Sequence, residues 1–210
     1  MRKLRWGFFD WNGTLLRDLD LEYEGVRARF EYFGIQPPSK EVYRASIGSN
    51  FMDFYYDNGI PKTASADDLN RIRLAFLENH WNSVKLNEGS LECIDLCRSL
   101  DMKTAIVSAE MSGILFRRLH QFGIEFLFDF VWGDAHPKKD FLSRVVKQLG
   151  AVPEESFYIG DTVEDVELTK ELGLKSFGFT QGYAPDQAII GAQPDYPVRS
   201  FNEVSEIIVS

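Results

Sequence analysis

Cysteine is nearly absent from this chain of 210 residues, which holds two, Cys93 and Cys97. They stand four apart in a stretch that reads as a helix, too close along one face for an ordinary disulfide and too few for a metal cage, so packing is the expected role of both. Basic residues are also in deficit, 23 Lys and Arg against 32 Asp and Glu, for a formal charge of −9. That balance argues against a nucleic-acid backbone or an anionic membrane as partner, since both demand basic surface; any bound anion must be held by local charge. No apolar signal core follows Met1-Arg2-Lys3-Leu4 and no apolar run reaches membrane-spanning length, which leads to the expectation of a cytoplasmic protein. Internal repeats and low-complexity tracts are missing too. What is present is a hydrophobic content of 44%, enough for one domain or for one domain carrying a smaller insertion.

The first element is the apolar run from Leu4 to Phe9, which stops at Asp10-Trp11-Asn12-Gly13-Thr14 and so reads as a buried strand with a carboxylate at its carboxyl end. A helical block follows. Leu21, Val26, Phe30 and Phe33 mark a helix closed by Gly34, Pro37-Pro38 precedes a short helix opening at Ser39, and an aromatic-rich segment runs from Asn50 to Asn58. A longer helix from Ser65 to about Val84 carries Leu69, Ile72, Phe76 and Leu77 at helical spacing. No strand is expected between Leu16 and Leu86. From Asn87 the rhythm changes: Ser90 is the expected N-cap of a helix, and strands at Thr104 to Val107, Phe128 to Trp132, Ser156 to Ile159 and Lys175 to Phe179 then alternate with helices. The tail adds a short helix, an edge strand near Tyr196 to Val198 and a closing helix. This order predicts an α/β fold, a parallel sheet with covering helices built from residues 1–16 and 87–210, with residues 17–86 inserted as a helical domain.

Four of the predicted strands end on polar residues. Asp10 follows the first, Ser108 the second, Gly133-Asp134 leads to Lys138-Lys139 after the third, and Gly160-Asp161-Thr162-Val163-Glu164-Asp165 closes the fourth. Parallel strands bring all four ends to one edge of the sheet. If the first and fourth strands are neighbours, Asp10 and Asp161 face each other with Asp165 one helical turn behind. Carboxylates that close need a cation, and hard oxygen donors favour magnesium over zinc.

Asp10-Trp11-Asn12-Gly13-Thr14-Leu15, Ser108, Lys138 and Gly160-Asp161-x-x-x-Asp165, in this order, resemble the four motifs of the haloacid dehalogenase superfamily. The helical block sits where that superfamily inserts a helical cap, and Gly178-Phe179-Thr180-Gln181-Gly182-Tyr183 is similar to its phosphoglycolate-phosphatase-like branch. The resemblance spans the whole chain. It implies a Rossmann-like three-layer core, an all-helical cap, and magnesium-dependent hydrolysis of a small phosphorylated metabolite through an aspartyl-phosphate on Asp10. It further implies that Asp10, the backbone carbonyl of Asn12 and Asp161 hold the magnesium, with Asp165 either in the metal shell or orienting the lysine. Thr14, Ser108, the amide of Ala109 and Lys138 would meet the substrate's phosphate. Lys138 is preferred to Lys139 by analogy with related sequences.

One position departs from the pattern. Phosphatases of that superfamily carry a second aspartate two residues after the nucleophile, to protonate the leaving alkoxide and then activate water; this chain carries Asn12. An amide neither gives nor takes a proton at neutral pH, and loss of a general acid/base costs roughly a hundred- to ten-thousandfold in rate. Three readings are compatible with this: a slow or specialised phosphatase; a relative with C–P or C–halogen chemistry, although Phe51 stands where phosphonoacetaldehyde hydrolase needs its lysine in the turn Ile47 to Phe51; and a catalytically weak member that binds a phosphorylated ligand or a protein. Plainer roles compete for single residues. Ser108 suits the N-cap of the following helix, Asp161 and Asp165 suit the dipole of the helix from Val163, and His136 suits a loop. Phe54, Tyr55 and their aromatic neighbours suit the inserted domain's own core, while Arg44, Asn50 and Tyr55 are candidates for contacting the leaving group.

Overall fold

Phe8 and Phe9 are adjacent, point to opposite faces of their strand, and are both fully buried. That is why the run from Leu4 to Phe9 shows no alternation: a strand covered on both faces has no polar side. In the computed structural model, which describes residues 3–47 and 51–210, this strand is β1, Trp6–Phe9. It is followed by β2 Leu16–Arg17, β3 Lys85–Leu86, β4 Lys103–Val107, β5 Phe130–Trp132, β6 Ser156–Gly160, β7 Lys175–Phe179 and β8 Tyr196–Val198. Among the described residues, six strands form one parallel sheet in the order β5-β4-β1-β6-β7-β8, and β2 pairs with β3. The α/β expectation is met.

The helices are α1 Leu19–Tyr32, α2 Lys40–Ala45, α3 Phe51–Asp57, α4 Ala66–Asn79, α5 Ser90–Ser99, α6 Ser112–Phe122, α7 Lys138–Gln148, α8 Val163–Glu171, α9 Asp186–Gly191 and α10 Phe201–Val209. On one face of the sheet Phe8, Ala105, Val107 and Tyr158 pack with Leu142, Val145 and Val146 of α7 and Leu168 of α8. Phe9 meets Phe128 and Phe157 edge-on. Contacts divide the chain into two units, residues through Arg17 together with Leu86–Ser210, and Asp18–Lys85.

The helical unit has a core of its own, formed by Val26, Phe30, Phe54, Tyr55, Ile60, Ala64 and Leu69. Two cations support it. Arg73 donates through two nitrogens to Glu22, at 3.0 and 2.7 Å. Arg29, buried, donates to the Tyr55 hydroxyl at 2.7 Å and to the Leu69 carbonyl at 3.2 Å. Tyr55, a candidate for touching substrate, is thus a core residue, 1% exposed, held by an internal cation. Asn50, and residues 48–50 of the turn before Phe51, lie outside the described residues.

Several local expectations are corrected. The helix opening at Ser65 starts with a capping box between Ser65 and Asp68 but stops at Asn79, and a single 3-10 turn, Trp81–Ser83, follows in place of its expected last turns. Ser90 is not an N-cap: Gly89, at φ 77°, caps α5, and the Ser90 hydroxyl is buried with no hydrogen-bond partner. The strand expected from Phe128 starts at Phe130, because Glu125–Leu127 forms a 3-10 turn and the Asp129 carboxylate accepts from the amide of Thr104. β2 and β3, two residues each, are too short to leave a periodic signal.

Candidate active site

The sheet order sets the site. β1 lies between β4 and β6, with Phe9 opposite Ile106 on one side and Ile159 on the other, so Asp10 leaves the sheet where the strand order changes direction, the usual ligand position in an open α/β sheet. The Asp10 amide donates to the Ile159 carbonyl at 2.9 Å, and its side chain is buried. Lys138, the first residue of α7, places Nζ 3.0 Å from Asp10 Oδ1 and 2.7 Å from Asp165 Oδ1. Its Nζ also sits 5.7 Å from the centre of the Tyr158 ring, whose hydroxyl donates to the Val107 carbonyl. Lys139 points elsewhere and pairs with Glu171. Geometry therefore separates the two lysines where helical phase does not.

Asp161 is held from both ends of the chain. Thr14 Oγ1 donates to Oδ1 at 2.8 Å and the Tyr183 amide to Oδ2 at 2.6 Å. The approach is close enough to demand glycine: a Cβ at Gly13, which has φ +73°, or at Gly182 would fall 2.2 Å from Asp161 Oδ2. Thr14, a candidate for meeting substrate, is fully buried and its hydroxyl donates to this carboxylate. Asp165 has two tasks. One oxygen accepts from Lys138, and the other accepts from the Thr162 amide and hydroxyl in the capping box of α8.

Asp10, Asp161 and Asp165 thus bring carboxylate oxygens within 4.8 Å of one another, with one lysine shared by two of them. Burial pushes the Asp10 carboxyl up to about 6, even though Lys138 pulls the other way. The Asp161 carboxyl is held well above its usual value, by burial first and then by the charges of Asp10 and Asp165. Burial alone would lower the Lys138 ammonium, but Asp10 and Asp165 outweigh it and hold it well above its usual value. Asp161 is the carboxylate that Lys138 does not neutralise. A buried, oxygen-only donor set with surplus negative charge fits a hard divalent cation.

Ser108 Oγ accepts from the Glu110 amide at 3.1 Å, and its own amide donates to the Trp132 carbonyl. It does not cap α6, whose N-cap is Met111. Ala109 beside it is exposed. Asn12, half-buried, donates from Nδ2 to Glu110 Oε2 at 3.3 Å. His136 is exposed, before a cis bond to Pro137. Sequence reasoning passed over Glu110 and Tyr158, and took Gly182-Tyr183 as part of a family motif without the role of holding Asp161. Tyr158 looks like any strand aromatic, whereas Gly182 carried a signal, a glycine in the polar loop after a buried strand.

A model of the haloacid dehalogenase-like hydrolases matches residues 8–179. The chain is 23% identical to a phosphoglycolate phosphatase of Synechococcus elongatus over 202 residues, which cover 95% of each protein. Among solved structures it resembles a haloacid dehalogenase-like hydrolase of Streptococcus pneumoniae, with a TM-score of 0.86 at 19% identity over 99% of both chains. It also resembles CbbY of Rhodobacter sphaeroides, solved with xylulose-(1,5)bisphosphate, with a TM-score of 0.80 at 18% identity over 95% of this chain and 96% of that one. The match of the family model over most of the chain agrees with the fold and with the carboxylate-lysine cluster, and the chain belongs to the haloacid dehalogenase-like hydrolase family.

Proposed function

We propose that this protein is a magnesium-dependent phosphomonoesterase acting on a small phosphorylated metabolite, with Asp10 as nucleophile. The observation that carries this reading is the placement of Asp10: a buried carboxylate at the sheet's switch point, 3.0 Å from a buried lysine and beside Asp161. An Asp10 oxygen attacks phosphorus, the ester P–O bond breaks with its electron pair leaving on the alkoxide, and water then hydrolyses the aspartyl-phosphate, so one hard displacement becomes two easier ones. Lys138, Ser108 and the Ala109 amide hold the phosphoryl oxygens, and Asp165 keeps Lys138 in position. Asp10, Asp161 and the Asn12 carbonyl would hold magnesium, with Asp165 next to them, and the ion would supply positive charge to offset that of the carboxylates and the phosphate. Since Asn12 gives no proton, leaving groups of low basicity are favoured.

The similarity to a phosphoglycolate phosphatase and the sugar bisphosphate held by a structural neighbour support small phosphorylated acids and sugars as first substrates to try. Incubation with a panel of such esters and magnesium should release inorganic phosphate, and Asp10→Asn should abolish release. A folded protein that releases none, yet gains thermal stability from the same esters, would instead be a ligand-binding member of the family, a reading with which Asn12 is also compatible.

A further inference from the structure

The acid nearest to Asn12 in the described hydrogen bonds is Glu110, which accepts from Asn12 Nδ2 at 3.3 Å. Glu110 is buried and fixed from three further sides. Its amide donates to Ser108 Oγ at 3.1 Å, its carbonyl accepts from the Asp134 amide at 2.8 Å, and its Oε1 accepts from the Met111 amide at 2.8 Å. A carboxylate accepts hydrogen bonds and donates none, so the Asn12 amide must turn its N–H₂ end to Glu110 and its Oδ1 away. An aspartate at position 12 would set two carboxylates against each other where water screens them poorly.

We propose that Glu110 is the positioning residue of Asn12: it fixes the direction of the amide, so it sets what position 12 presents to the reaction, and it is the reason that this position holds an amide. The kinetic consequence rests on the phosphatase reading, whereas the coupling of the two side chains does not. Exchanging the two groups provides the test. With Asn12→Asp and Glu110→Gln together, the introduced amide donates to the introduced carboxylate while its carbonyl oxygen still accepts from Met111, so the bond survives with its direction reversed. With Asn12→Asp alone, two carboxylates meet. With Glu110→Gln alone, one carbonyl oxygen has to serve two donors.

The four chains are compared by thermal unfolding in EDTA and by steady-state hydrolysis of para-nitrophenyl phosphate and phosphoglycolate with magnesium. Each single change should lower Tm, and the double change should restore it to within about 2 °C of the starting chain. Glu110→Gln should lower kcat about tenfold with KM within about twofold, Asn12→Asp alone should bring no gain, and the double variant should outrun both single ones. The proposal is overturned by additive Tm shifts, by Asn12→Asp alone turning over as fast as the double variant, or by coupled Tm values with kcat unmoved by Glu110→Gln, which would make the pair purely structural. If the unmodified chain hydrolyses neither probe, the phosphatase reading fails there and the Tm cycle still decides the pairing. Should Asn12→Asp unfold the chain and the double variant refold it, the pairing is upheld; should both fail to fold, it is rejected.

Discussion

Asp10 is costly to the folded chain. Its carboxyl is pushed up to about 6 by burial, from an ordinary value of 3.8. Between those two values the folded state keeps a proton that the unfolded state has released, so stability falls as pH rises through this window and stays lower above it, by on the order of 3 kcal/mol. Asp10→Asn removes the charge and keeps the shape. In EDTA it should therefore raise Tm near neutral pH and leave it nearly unchanged at about pH 3, below both values, where the carboxyl is largely protonated in both states. A lower Tm near neutral pH would mean that the pairing of Asp10 with Lys138 outweighs its burial. Magnesium relieves the same surplus of charge under the proposed function. It should raise the Tm of the unmodified protein, and by much less in Asp161→Asn, as measured by thermal shift over a magnesium titration.

Helices α7 and α8 are joined at the site by one side chain, Asp165, which receives Lys138 from the first turn of α7 and closes the capping box of α8. Asp165→Ala should cost about 3 kcal/mol in urea unfolding, because it leaves a buried ammonium with Asp10 as partner in place of two carboxylates and removes the cap together. Lys139→Ala, one residue along α7 and exposed, should leave the unfolding midpoint where it was. Much of this scale was legible in advance. Fully apolar runs such as Ala105-Ile106-Val107 leave few alternatives to a buried strand, and Ser65-x-x-Asp68 fixes a helix start by its own side-chain chemistry. The partners that come from far along the chain were not. Thr14 gives no sign in its neighbours that its hydroxyl serves a carboxylate 147 residues on, and Glu110 reads as one more surface acid until its burial is seen.

At the scale of the molecule, the proposed function requires an acidic protein to attract an acidic substrate. The charge of −9 repels a phosphorylated metabolite at long range, and Lys138 acts only at contact. At fixed magnesium, kcat/KM for a phosphate ester should accordingly rise as salt goes from about 10 mM toward about 150 mM, since screening weakens the repulsion before it weakens a buried pair. A fall over that range would point to a basic entrance that the composition gives no reason to expect. The overall architecture was legible because alternation of strand and helix is a property of the whole chain. Finer points, such as Gly89 capping α5 in place of Ser90, depend on a single backbone angle.

β1 also has a place in time. It leaves the ribosome well before its partners, residues 103–106 and 156–159. At ordinary rates of translation, roughly a hundred residues correspond to about 5–20 seconds. For that interval Phe8, Phe9 and Trp11, fully buried in the finished fold, have no sheet to enter. The newborn chain therefore passes through a stage in which a strand from the middle of the finished sheet exposes its aromatic side chains, and a chaperone that grips such segments would shield the strand that later carries Asp10.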